Sequence, residues 1–195
     1  MEKKKGLLRE YAEALFLALL LALFIRTFVV QAFRIPSGSM IPALLVGDQI
    51  LVDKLVYKFR KPERGDIMVF RYPEDETRDF IKRLIGMPGD KLEVKNRVVY
   101  INDKPLDEAG YAYHESPMTN NFHSDVRYNF GPIEIPKNKY FMMGDNRENS
   151  QDSRFWGLLD EDKIIGRAFI IYWSRDISRT FPFALRWDRF GHLMQ

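Results

Sequence analysis

The chain has no cysteine, so a disulfide scaffold, thiol catalysis and a cysteine metal site are all excluded. Histidine is scarce as well. His114, His123 and His192 are scattered, and none stands in a metal-ligand spacing, which argues against a metal enzyme. Basic residues do not gather into a dense stripe, and a net charge of +3 makes no case for nucleic acid, although it favours weak attraction to anionic lipid headgroups. There is no internal repeat and no low-complexity tract. At 195 residues the chain has room for one medium domain with an anchor, or for a domain carrying a small insertion.

What is present begins with a topological signal. Lys3, Lys4, Lys5 and Arg9 precede an unbroken apolar run from Ala14 to Ile25, and the stretch 11–33 stays mainly apolar apart from Glu13, Arg26 and Gln31. About 20 residues span a hydrocarbon core. Arg26 lies near the far end, where its long stem reaches the interface. Leucine, alanine and phenylalanine cover every face of the run, unlike a buried soluble helix with a polar stripe. The basic leader favours the cytoplasm, which places the chain beyond residue 34 outside. A cleavable signal peptide also has a basic start and a short apolar core, and Val30-Gln31-Ala32 offers small residues near a cut; a retained anchor is the preferred reading.

Beyond residue 34 the composition turns to strands and turns. Ile50-Leu51-Val52, Ile67 to Phe70, Phe80 to Ile85, Lys91 to Val94 and Val98 to Ile101 are short β-favouring runs separated by Gly47-Asp48, Arg64-Gly65-Asp66, Pro88-Gly89-Asp90 and Asn102-Asp103. The spacing predicts a mainly β protein built on antiparallel sheet. Residues 91–139 are more polar and read as an inserted small β subdomain. The expected partition is a basic leader over 1–10, an anchor over 11–33, a catalytic β domain over 34–90 and 140–195, and the insertion between. Leu158 to Trp173 resumes β-like apolar sequence. In the basic, aromatic tail, Phe181, Phe183, Trp187 and Phe190 are expected to pack on the core rather than lie in lipid.

Two segments carry chemistry. Pro36-Ser37-Gly38-Ser39-Met40-Ile41-Pro42 places a serine after a glycine that permits a tight backbone path, between prolines that stiffen the flanks. Alone it reads equally as a polar turn. Phe80-Ile81-Lys82-Arg83-Leu84-Ile85 embeds a lysine in apolar sequence. In a strand, Phe80, Lys82 and Leu84 share one face while Ile81, Arg83 and Ile85 share the other. A serine hydroxyl needs a base to become nucleophilic, and a lysine serves only if burial keeps its amine neutral. Ser39 and Lys82 are thus the candidate nucleophile and base.

The serine segment resembles the catalytic serine box of the type I signal peptidases, the membrane-bound bacterial leader peptidases. Further blocks follow in that family's order: 47–54 (GDQILVDK), 64–67 with 79–90 (RGDI, DFIKRLIGMPGD), and 144–157 (GDNRENSQDSRFWG). Departures are small, Ala43 standing where threonine is common and Phe80 where tyrosine is common, and one anchor stands in place of the two of some relatives. The Pro-Ser-Gly-Ser form leans towards the Gram-negative type. The resemblance implies an endopeptidase of the bacterial inner membrane, single-pass, with its catalytic domain on the periplasmic face. Its partners would be preprotein signal peptides, the phospholipid membrane and, by proximity, the secretion translocon. No cofactor or metal is implied. Small residues before the cut, as in A-x-A, would be admitted by shallow apolar pockets.

The resemblance also implies supporting roles. Ser37 would join the Ser39 N–H in the oxyanion hole, and Ser150 would orient the lysine amine. Arg83 with Asp145, and Asp152 with Arg154, would be structural ion pairs near the site. Phe33, Ile35, Met40, Leu44, Ile50, Val69 and Ile81 would line the substrate pockets. Two other classes share parts of this pattern. A self-cleaving transcriptional repressor uses a related Ser/Lys arrangement but needs a DNA-binding domain, and no helix-turn-helix pattern is present. A non-catalytic membrane-tethered β domain that binds exported proteins is the other, separated by an assay on a signal-peptide substrate.

Overall fold

The computed structural model of the chain describes residues 7–115, 125–180 and 184–194. The apolar run at the amino terminus forms one helix, α1 (Leu7–Phe28), with no buried residue. It is free of glycine and proline and rich in leucine and alanine, which lose little on becoming helical. Its length, about 33 Å at 1.5 Å per residue, matches a hydrocarbon core of about 30 Å. The helix therefore starts before and ends earlier than the 11–33 segment expected from hydropathy. Thr27, Val29 and Val30 are β-branched and prefer extended backbone. Val30–Arg34 accordingly leaves as strand β1, which pairs with β2 (Asp48–Asp53) in antiparallel register from Val30↔Asp53 to Arg34↔Gln49.

Beyond β2 come a single helical turn, α2 (Val56–Phe59), then β3 (Ile67–Tyr72) and the long β4 (Asp75–Gly86). A smaller set follows: β5 (Lys91–Lys95), β6 (Val98–Ile101), β7 (Lys104–Pro105) and β8 (Phe130–Glu134). The chain ends with β9 (Lys139–Met143), α3 (Ser153–Trp156), β10 (Leu159–Asp160), β11 (Ile164–Ser174) and β12 (His192–Leu193). The main sheet runs β1-β2-β11-β3-β4-β9-β10, with β12 on β11, and every pairing is antiparallel. The strands β7-β6-β5-β8 form a second sheet, drawn wholly from the polar stretch 91–139. The antiparallel, mainly β architecture read from the sequence is thus the one found.

Three apolar clusters hold these layers. One gathers Ile35, Met40, Leu44, Ile50, Val52, Val69 and Ile171. Another joins the two sheets through Ile85, Leu92, Val99, Ile135 and Phe141. The third packs Met68, Phe70, Leu84 and Met142 with Trp156 and Phe80 against them. Strand β4 serves all three because its alternate residues face opposite ways: Phe80 and Leu84 join the third cluster, Ile81 the first and Ile85 the second. In the tail, Phe190 lies 5.1 Å from the Trp173 ring and 4.9 Å from that of Trp187, so these aromatics stack on one another while Trp187 stays exposed. Phe181 and Phe183 lie outside the described residues.

Gly166 shows how tightly β11 sits against β2. A Cβ at this position would fall 2.2 Å from the Asp53 carbonyl oxygen, a backbone atom that cannot step aside. Gly166→Ala should therefore cost about 1–3 kcal/mol, the usual penalty for overpacking a close-packed site. Urea denaturation would show it as a lower midpoint with an unchanged slope; an unchanged midpoint would mean that the two strands slide apart freely.

Candidate active site

Between β1 and β2 the chain makes a compact turn in which the Ile41 N–H donates to Gly38 O at 3.2 Å and the Leu44 N–H to Met40 O at 2.8 Å. Met40 and Leu44 are fully buried and pin this turn to the core. Ser39, between glycine and Met40, is held with its hydroxyl towards β4. Its carbonyl accepts the Asn146 N–H at 3.1 Å, which ties the turn to the loop after β9. That approach depends on Gly144. A Cβ there would lie 2.5 Å from Ser39 O and 2.2 Å from Ser150 Oγ, so only glycine lets both serines come this close.

Lys82 meets Ser39 from the opposite wall. Its Nζ lies 2.8 Å from Ser39 Oγ, and it also donates to Ile81 O at 3.0 Å. The lysine is only 4% exposed and its Nζ stands 5.4 Å from the centre of the Phe80 ring. Burial lowers its pKa from 10.5 to about 8, against the pull of Asp152 and Asp145 and with help from Arg154. The amine is thus substantially neutral at mildly alkaline pH.

Both of those carboxylates are themselves matched by arginine. Arg83 donates to Asp145 through Nε and Nη2, both at 2.8 Å, and its guanidinium lies 4.3 Å from the Tyr111 ring centre. Burial pushes the Asp145 carboxyl up, while the Arg83 hydrogen bonds and charge oppose it. Arg154 embraces Asp152 at 2.8 Å from each of Nε and Nη2. Burial would raise Asp152, but the Arg154 charge and hydrogen bonds and the Gly144 N–H prevail, holding it below its usual range. The two pairs, Arg83 with Asp145 and Arg154 with Asp152, are therefore formed and buried.

The remaining candidates take different places. Ser37 Oγ lies 3.5 Å from Ser39 Oγ on the same wall. Ser150 is buried in the same cleft, but its Oγ has no hydrogen bond of ordinary geometry; it sits beside the Asp152 carboxylate and helps lower that group. Lys82 is bonded to Ser39 and Ile81 rather than to Ser150. The cleft has a volume of about 710 Å³ and is walled by Pro36 to Ser39 on one side and Arg78 to Lys82 on the other. Of the seven expected pocket residues only Ile81 lines it. Ile35, Met40, Leu44, Ile50 and Val69 are at most 2% exposed and belong to the core, with Phe33 packed partly against them. These apolar side chains pack in the core cluster rather than on the wall of the cleft.

Several contributors were invisible in the sequence. Arg147, 2% exposed, forms an ion pair with Glu108 across a long stretch of chain and lies 6.0 Å from Tyr111, extending the Arg83–Asp145 network. Arg127 and Phe155 line the cleft rim. Gly144 stood at the head of a recognisable block, a signal that could have flagged a close backbone approach. His114 is bound to Glu148 at 2.8 Å, and His123 lies outside the described residues.

The sequence profile described as signal peptidase, peptidase S26, matches residues 8–173. A probable signal peptidase I-2 from Synechocystis is 41% identical over 170 residues, covering 84% of this chain and 72% of that protein. A signal peptidase I from Aquifex aeolicus is 37% identical over 225 residues, covering 90% of this chain and 88% of that protein.

The depressed pKa of Lys82 makes a stability prediction. The native state binds fewer protons than the unfolded chain between about pH 8 and 10.5, so the cost of burying this lysine is full below about 8, where it is still charged, and fades as pH rises to 10.5. At full size it is about 3 kcal/mol, less whatever the hydrogen bonds return. Lys82→Met should gain stability over the wild type most at about pH 7 and lose that advantage near pH 10.5. Urea denaturation at both pH values checks this; an advantage that did not change with pH would mean the lysine is not perturbed.

Proposed function

The chain belongs to the signal peptidase, peptidase S26, family, and we propose that Ser39 and Lys82 carry its serine endopeptidase chemistry. As a signal peptidase I it is a hydrolase that acts on the signal peptides of preproteins. The observation that carries the Ser/Lys assignment is the 2.8 Å contact between Ser39 Oγ and a buried Lys82 Nζ. Geometry and protonation agree: the amine is within proton-transfer distance, and its pKa near 8 leaves a reactive free base.

In this reading the neutral Lys82 amine takes the Ser39 proton as Oγ attacks the carbonyl of the residue before the cut. The Ser39 N–H has no backbone acceptor among the described residues, which leaves it available, with the Ser37 hydroxyl, to the developing oxyanion. Collapse expels the new amino terminus, which receives the proton from Lys82. The same amine then activates water to hydrolyse the acyl-enzyme. Ser150, buried beside the site next to the Asp152 carboxylate, is assigned to orient the amine once substrate displaces solvent. Small residues at the first and third positions before the cut, the A-x-A pattern, suit the apolar part of the cleft around Phe80 and Ile81.

Helix α1 is long and apolar enough to cross a membrane. We read it as a single-pass anchor in the bacterial inner membrane, with the basic leader inside and the catalytic domain on the periplasmic face. The anchor confines enzyme and inserted preprotein to one thin layer near the translocon, raising their effective concentration. The second sheet is read as an insertion that supports the catalytic sheet through β5 and β8.

Detergent-solubilised chain should cleave a signal-peptide substrate, and Ser39→Ala or Lys82→Ala should each abolish the reaction, with the double variant no worse than either single one. Ser37→Ala should lose about 100- to 1,000-fold in kcat, as for one oxyanion donor. Turnover by either dyad variant would remove that residue from its role, and a wild-type rate in Ser37→Ala would place the oxyanion hole elsewhere.

A further inference from the structure

A loop beside the end of α1 presents an apolar side chain that the active site does not use. Lys54, just after β2, is tied to that helix end twice: its N–H donates to Val29 O at 2.9 Å and its Nζ to Thr27 O at 2.7 Å. The residues that follow are pinned from below. Tyr57 packs on the cluster of Met68, Phe70 and Leu84, and its hydroxyl donates to Asp66 at 3.1 Å. Arg60 pairs with the same carboxylate at 2.9 Å. Between these two pins α2 turns Phe59 outward, 85% exposed, more than any other large apolar side chain outside α1 among the described residues.

The exposed charges around Phe59 are mainly basic, with Glu63 the exposed carboxylate nearby. Lys58 and Lys61 flank it, both exposed, and among the described residues neither side chain meets a carboxylate. The nearby carboxylates are already engaged. Asp53 accepts the N–H groups of Leu55 and Val56 at 2.8 and 3.0 Å, Asp66 holds Tyr57 and Arg60, and Glu63 lies 3.7 Å from Arg60. An exposed aromatic between two free cations, on a rigid turn, is the pattern of a surface that meets anionic headgroups with its charges and the interfacial zone with its ring.

We propose that the Lys54–Lys61 loop is a second membrane contact, in which Phe59 enters the leaflet from which α1 emerges and Lys58 and Lys61 meet its anionic phosphates. The proposal rests on the reading of α1 as a membrane span. The occupant follows from continuity: Lys54 is bonded to the Thr27 carbonyl in the last turn of the helix and to the Val29 carbonyl just beyond it, and Phe59 is five residues further on, within about 17 Å even for a fully extended chain. Wherever α1 leaves the hydrocarbon, Phe59 is close to the same interface. One aromatic ring would not hold a free protein there, but the anchor already supplies a high local concentration. Two points of attachment fix the tilt of the main sheet and hence the height of Ser39 above the leaflet.

Because the chain has no cysteine, Phe59→Cys accepts a single environment-sensitive fluorophore, and Lys104→Cys on β7 provides the control. The full chain is reconstituted in phosphatidylcholine vesicles with and without phosphatidylglycerol. The label at position 59 should show blue-shifted emission and quenching by nitroxides carried on the lipid, while the label at 104 should be quenched only by aqueous iodide. Lys58→Glu with Lys61→Glu should reduce the lipid quenching several-fold in the anionic vesicles and leave it unchanged in the zwitterionic ones. If the label at 59 were as open to iodide as that at 104 while the chain resisted carbonate extraction, the second contact would be wrong. A blue shift without lipid quenching would assign the loop to a protein partner and overturn the proposal. Release of the chain by carbonate would instead overturn the reading of α1 itself, a failure distinguishable from the other two.

Discussion

Lys82 has to be buried deeply enough to shed its proton and still reach Ser39, and the surrounding structure is organised around that requirement. Burial alone pulls its pKa down, yet two carboxylates, Asp145 and Asp152, stand near enough to pull it back up. Left bare, they would stabilise the ammonium and leave the serine without a base. Arg83 and Arg154 prevent this by matching each carboxylate with two hydrogen bonds, so that burial outweighs the negative field at the amine. In the proposed mechanism the ion pairs would therefore act on catalysis as much as on folding. Removing one arginine would strand a buried carboxylate, a change that typically costs about 3–5 kcal/mol.

Position is set by packing. Met40 and Leu44 lock the serine turn into the core from one side, and Leu84 anchors β4 from the other. Gly144 closes the gap, since any side chain there would collide with both Ser39 O and Ser150 Oγ. Three segments remote in sequence thus converge within hydrogen-bond distance without any of them carrying the site alone. The second sheet contributes indirectly: its cluster with Ile85 and Phe141 steadies β4 and β9, the two strands that frame the lysine and the Asp145 loop.

Much of this was legible in the sequence because it is local. Apolar runs between glycine and asparagine turns marked the strands, and alternation along Phe80 to Ile85 placed Lys82 and Arg83 on opposite faces, as β4 has them. The order of motif blocks pointed to the serine, the lysine and the two arginine–aspartate pairs. Where the reading missed, tertiary contact decides. Hydropathy carried the anchor to Phe33, but pairing with β2 claims Val30 onward for a strand. Pocket assignments did not separate side chains that pack in the core from those that line the cleft, since both are apolar; five of seven lie in the core. The Arg147–Glu108 pair joins residues too far apart for any spacing rule to connect.

The central claim is that the surroundings of Lys82 lower its pKa far enough to supply a free base, and its titration can be watched directly. With lysines labelled with nitrogen-15 and carbon-13 in the detergent-solubilised chain, the Lys82 resonance is assigned by its absence in Lys82→Met and followed across the alkaline range. The account predicts a midpoint near pH 8, well below that of the surface lysines. A Lys82 midpoint near 10.5, indistinguishable from those of the other lysines, would contradict it, because almost none of the amine would then be in the free-base form that can accept the Ser39 proton near neutral pH.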